Sequence, residues 1–172
     1  MKITINGKEY ECQEIKIKTE AGEIVINSDI DKKKTGYERV SIGMGYYAVS
    51  PWGVVDTMSE SNYTIDDDYY DNVNYYSSEE VAKNNARVDR LIRQLRRFSV
   101  ENRKSKPDWT NRVNHKYRIT YNHLESMIRA ERSFLVEGFG VIYFDSRELA
   151  EQAIKEFKDE LIWYFTKYRD SL

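Results

Sequence analysis

The sequence predicts an α+β fold: a mostly antiparallel sheet with two amphipathic helices on one face, preceded by an N-terminal β-hairpin meander. Three observations point there. The first 28 residues alternate apolar and polar side chains around an Asn6-Gly7 turn signal. Ser77-Ser78-Glu79-Glu80 is a capping signature, and an apolar pattern of helical period follows it. Tyr75–Ala82 is then echoed by Tyr143–Ala150, each an aromatic strand end, a cap and an Ala-containing first turn.

Lys2-Ile3-Thr4-Ile5 reads as the first strand, and Asn6-Gly7 as a type I′ turn. Lys8–Lys18 continues with Tyr10, Cys12, Ile15 and Ile17 as inward positions. Their phase shifts after Cys12, which places a bulge or bend near Gln13. Glu20–Glu23 is a second turn and Glu23–Asn27 a third strand. Asp29–Glu38 is polar and reads as a linker, giving a division into a meander (1–28), a linker (29–40) and a core domain (41–172).

Tyr46–Val49 and Gly53–Met58 form a strand pair that turns at Ser50-Pro51-Trp52-Gly53. Ser59–Asn74 reads as an acidic, Tyr-rich loop. With Ser77 as N-cap, a helix runs from Ser78 to about Asn102. Arg103–Asn114 is a loop anchored by Trp109, and Tyr117–Asn122 is a strand. Glu125–Val136 fits a strand, although Leu124, Met127 and Ile128 satisfy either period. Val141–Phe144 is an apolar strand, and the last helix begins at Asp145–Glu148 and reaches about Tyr168.

Composition bounds the function classes. The chain has 172 residues, suited to one domain with a small appendage, and 33% are charged. Its single Cys12 forms no internal disulfide, which fits a reducing cytosol. No stretch approaches the roughly 18 apolar residues of a membrane span, and no apolar leader follows Met1. The expectation is a soluble, cytoplasmic protein without a membrane partner.

Charge is the strongest functional signal. Asp56–Glu80 carries eight acids and no Lys or Arg, whereas Lys83–Lys106 carries nine cations against Asp89 and Glu101. A net charge of −2 hides this reversal. Separated charge blocks serve partners, and a basic block suits RNA or DNA; the alternative is a solvated helix beside an acidic loop. On a helical wheel Val81, Val88, Leu91, Ile92, Leu95 and Phe98 share one arc. Lys83, Arg90, Arg93 and Arg97 oppose it, Arg87 and Arg96 flank it, and Arg103 follows the helix. A solvated face alternates signs to gain i, i+4 pairs; this one does not. These seven cations are the candidate nucleic-acid-binding residues. Asp66, Asp67, Asp68 and Asp71 are the alternative partner-binding set, acting as a mimic of phosphates.

Leu161–Phe165 is apolar nearly all round, with Ile162 and Trp163 outside the core stripe of the last helix. Either this turn is sandwiched in the fold, or Ile162 and Trp163 form an interface, including one between two copies of the chain. Catalytic signals are absent: no glycine-rich phosphate loop, no Cys pair and no nucleophile elbow. Two histidines, His115 and His123, and one distant Cys make a poor zinc set. The Asp66–Asp71 run lacks the Gly and terminal Glu of a calcium loop. No cofactor, metal site or enzymatic activity is therefore expected.

The segment Tyr75-Tyr-Ser-Ser-Glu-Glu-Val-Ala82, Trp109, and Gly140-Val-Ile-Tyr-Phe-Asp-Ser-Arg-Glu-Leu-Ala-Glu-Gln-Ala-Ile154 resembles small proteins carried by prophages and mobile elements of low-GC Gram-positive bacteria. Some of these are anti-CRISPR inhibitors of the type II effector nuclease. The resemblance spans a little over half the chain, names no catalytic residue and leaves Met1–Ser28 outside. It implies a phage protein acting in the host cytoplasm on the effector nuclease, its guide RNA, or both. The basic helix suits interference with guide RNA loading or integrity; the acidic run suits imitation of DNA. A phage accessory protein that binds RNA or DNA, or an assembly protein without enzymatic activity, is the alternative.

Overall fold

The computed structural model describes residues 2–5, 8–11, 14–19, 22–27 and 34–168. The fold is α+β with antiparallel strand pairings throughout. The N-terminal region is two separate hairpins rather than one three-stranded meander. In the first, β1 (Lys2–Ile5) pairs with β2 (Lys8–Glu11); in the second, β3 (Glu14–Thr19) pairs with β4 (Gly22–Asn27). The phase shift after Cys12 is where the chain leaves one hairpin for the next. Ile5 opposes Lys8, so a two-residue connection joins the first pair, as Asn6-Gly7 demands. That turn, the bend at Gln13 and most of the expected linker lie outside the described residues.

The last part of that linker is packed. Gly36 is buried at φ +90°, where an added Cβ would meet Val81 Cγ2 at 2.6 Å. Glu38 accepts from the Thr35 amide and hydroxyl, the Gly36 amide and Ser77 Oγ. These donors hold its carboxyl low, at about 2, with the Thr35 amide contributing most.

β5 (Gly45–Val49) and β6 (Val55–Ser59) form the expected hairpin. Beyond it, the acidic segment is no loop: it contains α1 (Thr64–Asp71). Asp66 at the third helical position accepts from the Tyr63 amide, closing the helix start, and also from the Ser61 amide. Helical spacing was hidden there because the buried residue is a carboxylate rather than an aliphatic side chain.

α2 (Glu79–Asn102) starts one residue later than expected: Ser78, not Ser77, is the N-cap and accepts from the Val81 amide. This 24-residue helix serves two cores. Ala82 and Ala86 are buried where α2 packs against β5 and β6, near the Tyr46–Ala48–Tyr75 cluster. Leu91 and Leu95 enter the main core with Phe144, Leu149, Ala153 and Leu161. The two buried faces lie on different sides of the helix axis.

The main core is completed by a three-stranded sheet in the order β8-β7-β9, formed by β7 (Lys116–Asn122), β8 (Met127–Ser133) and β9 (Tyr143–Phe144). The ambiguous segment after Leu124 is thus a strand, with Ile119 opposite Ala130. Ser99 Oγ donates to the Tyr143 carbonyl at 2.6 Å and fixes α2 to this sheet. Trp109 anchors its loop edge-on to Tyr143, with the Lys116 ammonium over its ring at 5.1 Å.

The single C-terminal helix of the sequence reading is divided. α3 (Arg147–Glu156), capped by Ser146, ends at Phe157; α4 (Lys158–Trp163) follows, then a π-helical turn at Tyr164–Tyr168. The break lets Phe157 meet Phe98 edge-on, and the wider last turn lets Phe165 stack on Tyr121.

Candidate nucleic-acid interface

Among the described residues five of the seven expected cations form no ion pair, and four of them share one stretch of α2. Arg90, Arg93, Arg96 and Arg97 are exposed, and among the described residues none forms an ion pair. Arg90 to Arg97 spans about 10 Å of helix at 1.5 Å per residue. The face starts after Lys83 and Arg87, which are paired with Glu79 and Glu160. Asp89 and Glu101, the acids of this stretch, are also exposed and leave the arginines unpaired.

Two of the remaining side chains, those of Lys83 and Arg87, are engaged within the fold. Lys83 pairs with Glu79 one turn back, at 2.7 Å. Arg87 makes a two-pronged contact with Glu160, 2.7 Å and 3.0 Å, and its guanidinium lies 3.9 Å from the Trp163 ring centroid. The Arg87 guanidinium holds the Glu160 carboxyl below the usual carboxylate range, against the opposing effect of burial. Arg103 caps α2, its amide donating to the Ser99 carbonyl.

Trp163 meets Arg87 as well. Its indole left the apolar stripe to meet an arginine of the same chain, and it is half-buried there. Ile162 is exposed. The two proposed interface residues therefore do not form one outward apolar patch.

A groove of about 910 Å³ runs beside the arginine face. The β5–β6 turn (Gly53, Val54, Val55) forms one wall, and Lys83, Arg87, Arg90 and Gln94 of α2 another. The α3–α4 junction, from Lys155 to Glu160, closes the third side. Five cations line it (Lys83, Arg87, Arg90, Lys155, Lys158) against Glu156, Asp159 and Glu160, and Glu160 is already matched by Arg87. Sequence reasoning missed Lys155 and Lys158. They lie more than 50 residues from α2, and only the break at Phe157 sets them across from it.

The acidic set is dispersed rather than brought together. Asp66 is buried and accepts from Tyr46 Oη at 2.8 Å. Asp67 pairs with Arg39 at 2.6 Å. Asp68 and Asp71 are exposed. Nearby Glu60 is buried and accepts from Arg39 Nε and Nη2, Tyr75 Oη and the Asn62 amide at 2.8–3.0 Å. Arg39 is the main reason that the Glu60 carboxyl sits low; for Asp66 it is the Ser61 amide. Burial raises the Tyr75 phenol to about 12, keeping it a donor. Every buried side-chain polar atom described has a partner. The network is a satisfied scaffold holding α1, β5 and Tyr75 together, and it leaves Asp66–Asp68 no continuous row of free carboxylates to imitate phosphates.

His115 and His123 flank β7 and are both exposed, about 26 Å apart along the strand, so they share no site. Among the described residues no group of three His, Cys, Asp or Glu is placed to hold a metal ion. No described helix is long and apolar enough to cross a membrane.

No protein-family model, curated protein or solved structure matches this chain.

Proposed function

We propose that the chain binds RNA through the exposed arginine face of α2, and that it inhibits a type II CRISPR effector nuclease in the host cytoplasm by competing for guide RNA. The single observation that carries the reading is the stretch Arg90, Arg93, Arg96 and Arg97, exposed together with no ion pair formed among the described residues. Four unpaired guanidiniums repel one another on a helix, and like charges at i, i+4 cost a few tenths of a kcal/mol each. An anionic partner relieves that repulsion. Arginine also suits phosphate better than lysine, because its planar fork donates two hydrogen bonds at once. The choice of guide RNA rests on the resemblance of Tyr75–Ala82 and Gly140–Ile154 to phage-borne inhibitors. The guide route is favoured over imitation of DNA because Asp66 and Asp67 are engaged within the fold.

An order-of-addition cleavage assay tests it. Protein added before the guide RNA inhibits DNA cleavage strongly; protein added after effector and guide have assembled inhibits weakly, because loaded RNA is held in the effector's channel. Equal inhibition in both orders contradicts the guide route. No inhibition in either order, across several type II effectors, removes the inhibitor reading and leaves an accessory RNA- or DNA-binding protein.

A further inference from the structure

Trp52 stands at the tip of the β5–β6 turn and is 84% exposed. No described residue stacks on its indole or places a cation over it, in contrast to Trp109 and Trp163. Hydrophobic burial does not explain it, and neither does the turn. Ser50 and Val54 already close that turn through three hydrogen bonds, and Gly53 supplies its positive φ of +80°. The next residues in the chain, Gly53 to Val55, form the wall of the groove opposite Lys83 and Arg90. An exposed indole thus immediately precedes, in the chain, the residues that line a cationic groove.

We infer that this groove takes single-stranded nucleic acid, with Trp52 as a stacking platform for an unpaired base and Arg90, Lys155 and Lys158 along the phosphate backbone. The inference rests on the proposed polyanion binding and narrows it to unpaired strands. Duplexes hide their base faces, so an external tryptophan adds nothing to their binding. A single strand offers a π-face at every base, and stacking there is worth about 1–3 kcal/mol per base. Backbone charge attracts any polyanion; the indole selects the unpaired ones.

The test compares four labelled probes: an oligouridylate, an oligothymidylate, an RNA duplex of the same length, and heparin, which has charge without bases. The full-length protein is used, with Trp52→Ala and Trp52→Phe, and melting temperatures check that both variants fold. Trp52→Ala weakens oligouridylate binding about five- to hundredfold, Trp52→Phe recovers most of it, and heparin affinity is unchanged. A matching loss on oligothymidylate marks the site as one for single strands of either sugar; retention of its affinity marks it as one for RNA. If Trp52→Ala leaves oligouridylate affinity unchanged, weakens heparin equally, or the duplex binds as tightly as the single strand, the stacking site is overturned while polyanion binding stands. If no probe binds the wild type, both readings fall.

Discussion

Glu60 sits where a charge costs most and gains most. It is buried, yet four donors converge on its two oxygens, Arg39 twice. Its pKa in the fold lies below the ordinary value, chiefly because of Arg39. A depressed carboxyl contributes stability that is fully present above its unfolded pKa, near 4.3, and lost as pH falls through the folded value. Glu60→Gln removes that contribution and points amide hydrogens at donors. We therefore expect the variant to melt lower than wild type at pH 7, with the gap closing as pH falls from about 5 into the acid range. Melting temperatures recorded across that range check it, and a gap that stays constant with pH rules the linkage out. At this scale the sequence was only partly legible. The charge reversal was plain, but Glu60, Asp66 and Asp67 look identical in sequence to Asp68 and Asp71. What separates them is burial and Arg39, which lies 21 residues from Glu60.

Among the elements, α1 ends in strain. Val73 has φ +55°, a region that β-branched residues rarely adopt, and it is exposed, so packing does not require its side chain. The left-handed turn delivers Asn74, whose side chain donates to the Val49 carbonyl and accepts from its amide. The turn is needed; valine is not. The left-handed conformation costs an L-residue about 1–2 kcal/mol, against about 0.4–1 kcal/mol for the extra freedom of glycine in the unfolded chain. Val73→Gly is expected to stabilise the fold by roughly 0.5–1 kcal/mol, measured by denaturant unfolding; a loss of stability would show that Val73 packs in a way its exposure conceals. Elements with an aliphatic period were legible: α2 and β5 to β7 fall within a few residues of expectation. The failures have separate causes: α1 buries a carboxylate, and the α3–α4 break at Phe157 falls among charged residues, Lys155 to Glu160, with no Gly or Pro to mark it. The basic face of α2 was read from the wheel, but the wheel assumed one buried side. Ala82 and Ala86 make a second, and the pairing of Lys83 with Glu79 and of Arg87 with Glu160 leaves the free cations in the C-terminal half.

For the whole molecule, organisation follows from which strands pair. Among the described residues the strand pairings of β1 to β4 stay within their own hairpins, while the packed core begins near Gly36 and runs through the π-helical turn. Deleting residues 1–28 is expected to leave a cooperative unfolding transition within a few degrees of the full chain. An insoluble or molten product would place the hairpins in the core. Phe134, Val136 and Phe139 protrude after β8. The groove was invisible in the sequence, since it depends on how the β5–β6 turn and the α3–α4 junction flank α2.

The central claim is that unpaired arginines on α2 bind a polyanion, and its most direct measurement is RNA affinity as a function of salt. Arg87 must be left intact in this test, because its contacts with Glu160 and Trp163 hold α4 to α2. The wild type should lose affinity with a logarithmic slope of at least about 3, near one per neutralised phosphate. Reversing Arg90, Arg93 and Arg97 to Glu should abolish binding while the melting temperature stays nearly unchanged, since all three are exposed. Wild-type binding that ignores salt, or a triple variant that binds as well as wild type, would contradict the account and reduce the basic face to a solvated surface.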